Sequence, residues 1–332
     1  MRRRFIPAIL YLAFLSLIFI QCKEEKPAPA VEKKTPVTIP AFNQDSAFVF
    51  LEKQLEFGPR VPGTESHKAC KDWMVQKFES YGASVVQQDF IANIYTGDKW
   101  EATNIIAQFN PSHKERVILS AHWDSRFIGE EDPDKKKKDQ PIPGADDAGS
   151  GVAVLIEIAR QLSENPIDLG IDIILWDAED QGKRGPTSPA DLWCLGSQHW
   201  ARKKHKKNYR ARYGINLDMV GAKNPRFAKE EVSRQYASKV LDKVWKLAQN
   251  MGYSDMFVND FTNGLTDDHT FINRIAKIPM IDIINQPKGS KTGFVPHWHT
   301  HGDDINAIDK RTLRVVGQVV LATIFRESDG SI

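Results

Sequence analysis

The stretch IDIILWDAED, residues 171–180, decides how the rest of the chain is read. Its apolar run from Ile171 to Trp176 has the character of a parallel-sheet strand, buried on both faces. Two adjacent carboxylates, Glu179 and Asp180, follow it. Open α/β sheets place their ligands outside the carboxyl ends of the strands. Neighbouring side chains leaving an extended backbone point to opposite sides. One carboxylate can therefore bind a metal while the other faces a substrate. A Glu-Asp pair taken alone is more often a solvated turn, so the other strand ends decide between the readings.

Upstream, Ser46 can cap a helix carrying Phe48, Leu51 and Leu55 at helical spacing. FGPRVPGT (57–64) breaks it, because Pro59, Pro62 and Gly63 punctuate the chain. A second helix is expected over about Glu65 to Tyr81. Strands follow near Ala83 to Phe90, Thr103 to Phe109 and Arg116 to Ser120, the last running into AHWDSR (121–126). Residues 127–141 read as a polar loop with a solvated run, Lys135 to Lys138. PGADDAGSG (143–151) opens a helix with Val154, Leu155, Ile158 and Leu162 on one face. Downstream of the opening stretch comes a long loop, Gln181 to Leu195, that contains Trp193. Strand Tyr213 to Leu217 ends at Asp218, and a helix spans about Val232 to Asn250. LTDDHTF (265–271), strand Met280 to Ile284, VPHWHTHGDD (295–304) and a helix from about Lys310 to Phe325 complete the chain. Strands alternating with helices predict a mostly parallel sheet covered on both faces.

His122, Asp147, Asp180, Asp218 and His299 each sit just after a strand or in a Gly-rich connection. Singly, each is more often a cap or a surface group. Together, two imidazoles and three carboxylates form a set suited to Zn2+. Glu179 then has no ligand duty yet lies beside a ligand, where a general base belongs.

HWDS (122–125), PGADD (143–147), AED (178–180), LDM (217–219) and HWHT (297–300), with FGPRVPGT upstream, resemble the zinc aminopeptidase superfamily M28. The resemblance runs from about Phe48 to Phe325. LDMVGAKNPRF (217–227), LTDDH (265–269) and WCLGSQHW (193–200) are more similar to glutaminyl cyclases of the bacterial, animal-like type. The resemblance implies a three-layer α/β sandwich with a central mixed, mostly parallel sheet flanked by helices. It implies conversion of N-terminal glutamine in peptides and proteins to pyroglutamate, with release of ammonia. One zinc would be held by Asp147, Asp180 and His299, with a fourth position open. Asp180 departs from the Glu of the animal enzymes and is shorter by a methylene. Glu179 would be the base, Asp218 a hydrogen-bonding acid near it, and Asp267 its acidic partner. Trp193, brought by an insertion before Gly196-Ser197, and Trp298 would wall the substrate. The alternative is an aminopeptidase with two zincs, for which His122 and Asp218 are second-metal candidates. A catalytically silent peptide-binding lipoprotein is the third reading, against which the intact Glu179 and ligand set argue.

Arg2-Arg3-Arg4, an apolar run from Phe5 to Ile20 and then Gln21-Cys22 form a secretory leader of lipoprotein type. The run is shorter than the ~20 residues that a spanning helix needs. Residues 1–21 are thus expected to be a signal peptide, and Cys22 the lipidated first residue. Residues 22–42, rich in Pro, Lys and Glu, would form a flexible tether, and 43–328 one catalytic domain. That arrangement places an exported lipoprotein on a membrane it touches only through its lipid, facing the periplasm or the cell exterior. The chain has 45 basic and 43 acidic residues, so no field recruits nucleic acid; a monomer is expected. Cys70 and Cys194 could pair in an exported compartment, or stay free.

Overall fold

The computed structural model describes residues 37–332; the leader, Cys22 and the tether up to residue 36 lie outside the described residues. Val37 to Phe42 lie against the final helix. Val37 N donates to Asp329, Phe42 N donates to Gln318 Oε1, and Gln318 Nε2 donates to Pro40 O. The end of the expected tether is therefore held.

The first elements are α1 (Gln44–Glu56), α2 (Glu65–Ser80), β1 (Ser84–Asn93), β2 (Lys99–Phe109), β3 (Arg116–His122), α3 (Gly151–Glu164) and β4 (Gly170–Trp176). They are followed by α4 (Leu195–Arg202), β5 (Tyr213–Asp218), β6 (Phe227–Lys229), α5 (Glu231–Asn250) and β7 (Phe257–Phe261). The chain ends with α6 (Asp268–Phe271), β8 (Met280–Ile284) and α7 (Lys310–Asp329). The cap of α1 is Asn43, not Ser46. Asn43 is extended, and its side chain accepts from Asp45 N and Ser46 N at 3.0 and 3.1 Å. The strands β6 and β7, a parallel pair, were not read from the sequence. Three residues of β6 are too few to display a period of two.

The main sheet has the order β1-β2-β4-β3-β5-β8. β1, β2 and β4 pair antiparallel, while β4, β3, β5 and β8 pair parallel. One face buries Ile171, Ile173 and Leu175 with residues of α1, α2, α3, α5 and α7. The other buries Ile174 and Trp176 with Trp200 of α4 and with Ile272. This is the expected three-layer α/β sandwich with a mixed sheet.

Asp172 interrupts the apolar alternation of β4, yet it is fully buried. The Arg116 fork meets it at 2.7 and 2.6 Å, and Gln108 donates to it at 2.8 Å. A buried charge paired in this way is tolerated, whereas removing one partner typically costs about 3–5 kcal/mol. What positions the active site is the register: His122 pairs with Trp176, and Asp218 with Ile284. All four parallel strands thus end at one edge, and their connections carry the polar residues.

Candidate active site

At that edge β4 gives way to a turn. Ala178 has a left-handed backbone, φ 53°, so Glu179 and Asp180 leave a bend and not the extended chain that the sequence suggested. The bend is held on both sides. The Asp124 carboxylate accepts Glu179 N and Asp180 N at 3.1 Å each, and Gln181 Nε2 at 2.8 Å. Across it, Cys194 N donates to Glu179 O at 2.8 Å, and Leu195 N to Ala178 O at 3.1 Å. The two carboxylates still separate: Asp180 Oδ1 lies 2.9 Å from His299 Nε2, whereas Glu179 Oε1 accepts from the Cys194 thiol.

Asp147 stands at the entry to α3, with the Asp303 carboxylate accepting the peptide N–H groups of Asp146 and Asp147 at 2.7 and 3.2 Å. His299 has a left-handed backbone, φ 56°, and its Nδ1 lies 2.9 Å from Glu130 Oε1. Among the described residues four groups of donor atoms lie within 4.8 Å of one another. Two hold the expected ligands, Asp147, Asp180 and His299, and His122, Asp147 and Asp218; Asp147 belongs to both of these. The others are Glu179, Cys194 and Asp267, and Asp267, His269 and Asp282.

The fit to a metal is visible in what these atoms do not do. His122 Nε2 approaches Asp147 Oδ1 to 2.8 Å and Asp218 Oδ1 to 3.4 Å. Nevertheless His122 Nε2, Asp218 Oδ1 and Asp180 Oδ2 are buried without a hydrogen-bond partner, while His122 Nδ1 faces Asp124 Oδ1 at 3.5 Å. A buried polar atom left unpaired is costly; several converging on common points are the donor set of a cation. Nitrogen and carboxylate oxygen are zinc ligands, and Glu130 behind His299 is the carboxylate such a ligand normally has at its back.

Titration follows from burial and mutual repulsion. Burial, reinforced by Asp147 and Asp267 against the lowering by His122, pushes Asp218 up to about 8. Asp180 is pushed up to about 6 by burial and Asp147, against His299. Glu179 is raised well above the usual carboxylate range, by burial first and then by Asp180, Asp268 and Asp267, against His122. A carboxyl poised upward is suited to taking and returning a proton.

A cavity of about 420 Å³ opens over this floor. Asp147, Glu179, Asp180, Trp193, Asp218, Asp267 and Trp298 all line it; His122 and His299 stand behind its wall. The Trp298 ring stacks on His299 at 3.6 Å and 20°, and Trp193 lies at 6.2 Å and 21° from the same imidazole. Asp267 caps α6 and accepts from Asn216 at 3.1 Å. Its free oxygen is buried, and it groups with Glu179 and Cys194. The sequence reading gave no active-site role to Asp124, Glu130, Cys194, Asp268 or Asp303. HWDS contained Asp124, WCLGSQHW Cys194, LTDDH Asp268 and VPHWHTHGDD Asp303; nothing local marked Glu130. Cys70 and Cys194 are both buried and free, so no disulfide joins them.

A mixed three-layer sandwich with clustered imidazole and carboxylate donors at the carboxyl edge of its parallel strands defines a zinc-aminopeptidase-like metalloenzyme. The chain belongs to peptidase family M28, whose family model matches residues 104–324. Among solved structures, it is similar to a Zn-dependent exopeptidase from Parabacteroides distasonis, with 47% identity, 87% of this chain and 99% of that chain covered, and a TM-score of 0.85. It is also similar to the glutaminyl cyclase of Bacteroides thetaiotaomicron bound to N-acetylhistamine, with 45% identity, 87% and 99% coverage, and a TM-score of 0.84. Among curated relatives, aminopeptidase YwaD of Bacillus subtilis is 26% identical over 84% of this chain; the chain spans 56% of its length. Glutaminyl-peptide cyclotransferase of Drosophila melanogaster is 25% identical over 76% of this chain and 73% of that protein.

Proposed function

We propose that this chain is a glutaminyl-peptide cyclotransferase that uses zinc to convert N-terminal glutamine to pyroglutamate. The observation that carries the reading is Glu179, a half-buried carboxylate outside both Asp147-centred donor groups that faces a cavity walled by Trp193 and Trp298. Asp147, Asp180 and His299 would hold the zinc, which when bound supplies Lewis acidity toward the side-chain amide oxygen of the substrate. The tryptophans confine a small, flat chain end, so that the α-amine meets the side-chain amide carbon within the same residue. Glu179 accepts a proton from the α-amine as the new C–N bond forms. It returns that proton to the amide nitrogen, whose bond to carbon breaks, and ammonia leaves. Asp218 and Asp267, on the same floor, keep the departing amine and Glu179 in place by hydrogen bonding.

The second reading is a two-zinc aminopeptidase. It is favoured by one observation: His122, Asp147 and Asp218 form a complete second donor set. In that case Glu179 would take its proton from water. Offering Gln-peptide and Leu-peptide side by side to zinc-loaded protein separates the two. Mass spectrometry should find loss of ammonia from an otherwise intact Gln-peptide. Release of free Leu or Gln as the main product would establish the aminopeptidase.

Export and lipid attachment at Cys22 belong to the same proposal and rest on the leader and its cysteine. Among the described residues no helix is long and apolar enough to cross a membrane. Radioactive palmitate should mark wild type and leave Cys22→Ala unlabelled; unlabelled wild type would rule the anchor out.

A further inference from the structure

Loop 127–141, which the sequence presents as solvated surface, delivers Glu130 to the back of the metal centre. Its Oε1 lies 2.9 Å from His299 Nδ1. The same carboxylate is gripped by Arg126, whose Nε and Nη2 donate to Oε1 at 3.1 and 2.7 Å. Arg126 is 1% exposed. Its remaining terminal nitrogen, Nη1, donates to the carbonyl oxygens of Asp180 and Gly182, at 2.7 Å each. Its guanidinium carbon lies 4.9 Å from the Trp193 ring centroid. One planar cation thus touches the turn that carries Asp180, the carboxylate behind His299 and the aromatic wall of the cavity.

We propose that Arg126 and Glu130 form a positioning pair that sets the zinc affinity of the Asp147, Asp180 and His299 site and couples it to the placement of Trp193. With Glu130 at its back, His299 donates from Nδ1, which leaves the lone pair on Nε2, beside Asp180 Oδ1, for the metal that the two residues would share. A carboxylate in that place fixes the tautomer and raises the basicity of the ligand; its loss typically costs about 10–100-fold in metal affinity. The guanidinium fork is needed because a lysine ammonium cannot serve two carbonyls and a carboxylate in one plane. The inference rests on the metal-centre reading and on neither reaction in particular.

The test is the zinc dissociation constant, read by competition with a chromophoric chelator, which needs no substrate. It is measured for the full chain, Glu130→Gln, Arg126→Lys and the double variant. Urea midpoints of the metal-free proteins are measured in parallel. Glu130→Gln keeps the shape and should weaken zinc binding about 10–100-fold, well beyond what its metal-free midpoint loses with the Arg126 ion pair. Arg126→Lys should weaken it too, and the two losses should fail to add, because one residue acts through the other. Arg126→Lys should also raise KM, through Trp193, more than Glu130→Gln does. Unchanged zinc affinity in Glu130→Gln, losses that merely follow metal-free stability, or additive losses would each overturn the proposal.

Discussion

The thiol of Cys194 donates a hydrogen bond to Glu179 Oε1 across 3.1 Å. The backbone of Cys194 holds the same residue, its N–H bonding Glu179 O at 2.8 Å. Glu179 is thus fixed at the main chain and at one carboxylate oxygen, and its other oxygen accepts nothing among the described residues. A ligand and a base respond differently when charge is removed and shape is kept. Glu179→Gln should leave zinc content and folding near wild type. It should lower turnover by about 10²–10⁴-fold, the range that general acid–base catalysis supplies. Loss of zinc in this variant, with retention in Asp180→Asn, would show that the two roles had been exchanged.

The metal donors should sort themselves by stoichiometry. His299→Ala and Asp180→Asn each remove a buried ligand from the Asp147-centred set, and both should lose zinc and turnover together. Asp218→Asn should lower turnover while retaining one zinc, and His122→Ala should do less harm than His299→Ala. Elemental analysis of the active wild type should count one zinc per chain. Two tightly held zincs would assign His122 and Asp218 to a second ion.

Gly182 gives a steric test of the aromatic wall. A Cβ placed there would stand 2.2 Å from the Trp193 ring, while the Gly182 carbonyl is held by Arg126. In Gly182→Ala the ring must move. An aromatic contact is worth about 0.5–1.5 kcal/mol, so KM for a Gln-peptide should rise roughly 2–10-fold. An unaltered KM would remove Trp193 from the substrate wall.

His205, far from the active-site edge, predicts an acid-dependent stability. It accepts the Trp200 indole N–H at 3.0 Å. Burial, helped by Lys206 and Arg116 against Asp172, lowers its pKa to about 4. Between that value and its ordinary ~6.5, the unfolded chain binds the proton that the folded one refuses. Stability then rises with pH, so this contribution is complete above pH ~6.5 and is lost as pH falls toward 4. Urea midpoints from pH 7 to 4 should therefore fall more steeply for wild type than for His205→Gln. Parallel curves would dismiss the linkage.

Strands β3, β4, β5 and β8, and the donors at their ends, were legible because the signals are local. A buried strand writes its own apolar run, and imidazoles and carboxylates just after such runs state their chemistry wherever they stand. From these the layered fold could be read, with His122, Asp147, Asp180, Asp218 and His299 as candidate donors and Glu179 as candidate base; the division of the donors and the tryptophan walls came from the family resemblance. Sequence by itself thus supplied the fold and the candidates for its chemistry.

Only the tertiary structure decided how those candidates are joined. Asp147 belongs to both donor sets, the Cys194 thiol touches the base, and Glu130 supports His299 from 169 positions away. Asp172 in the middle of an apolar strand is satisfied by Arg116, 56 positions away. These contacts follow from the order and register of the sheet and from connections that fold back over its edge. Neither leaves a periodic trace in the chain. The free energy that selects them is the avoidance of buried, unpaired polar groups, and this acts only once distant segments have met.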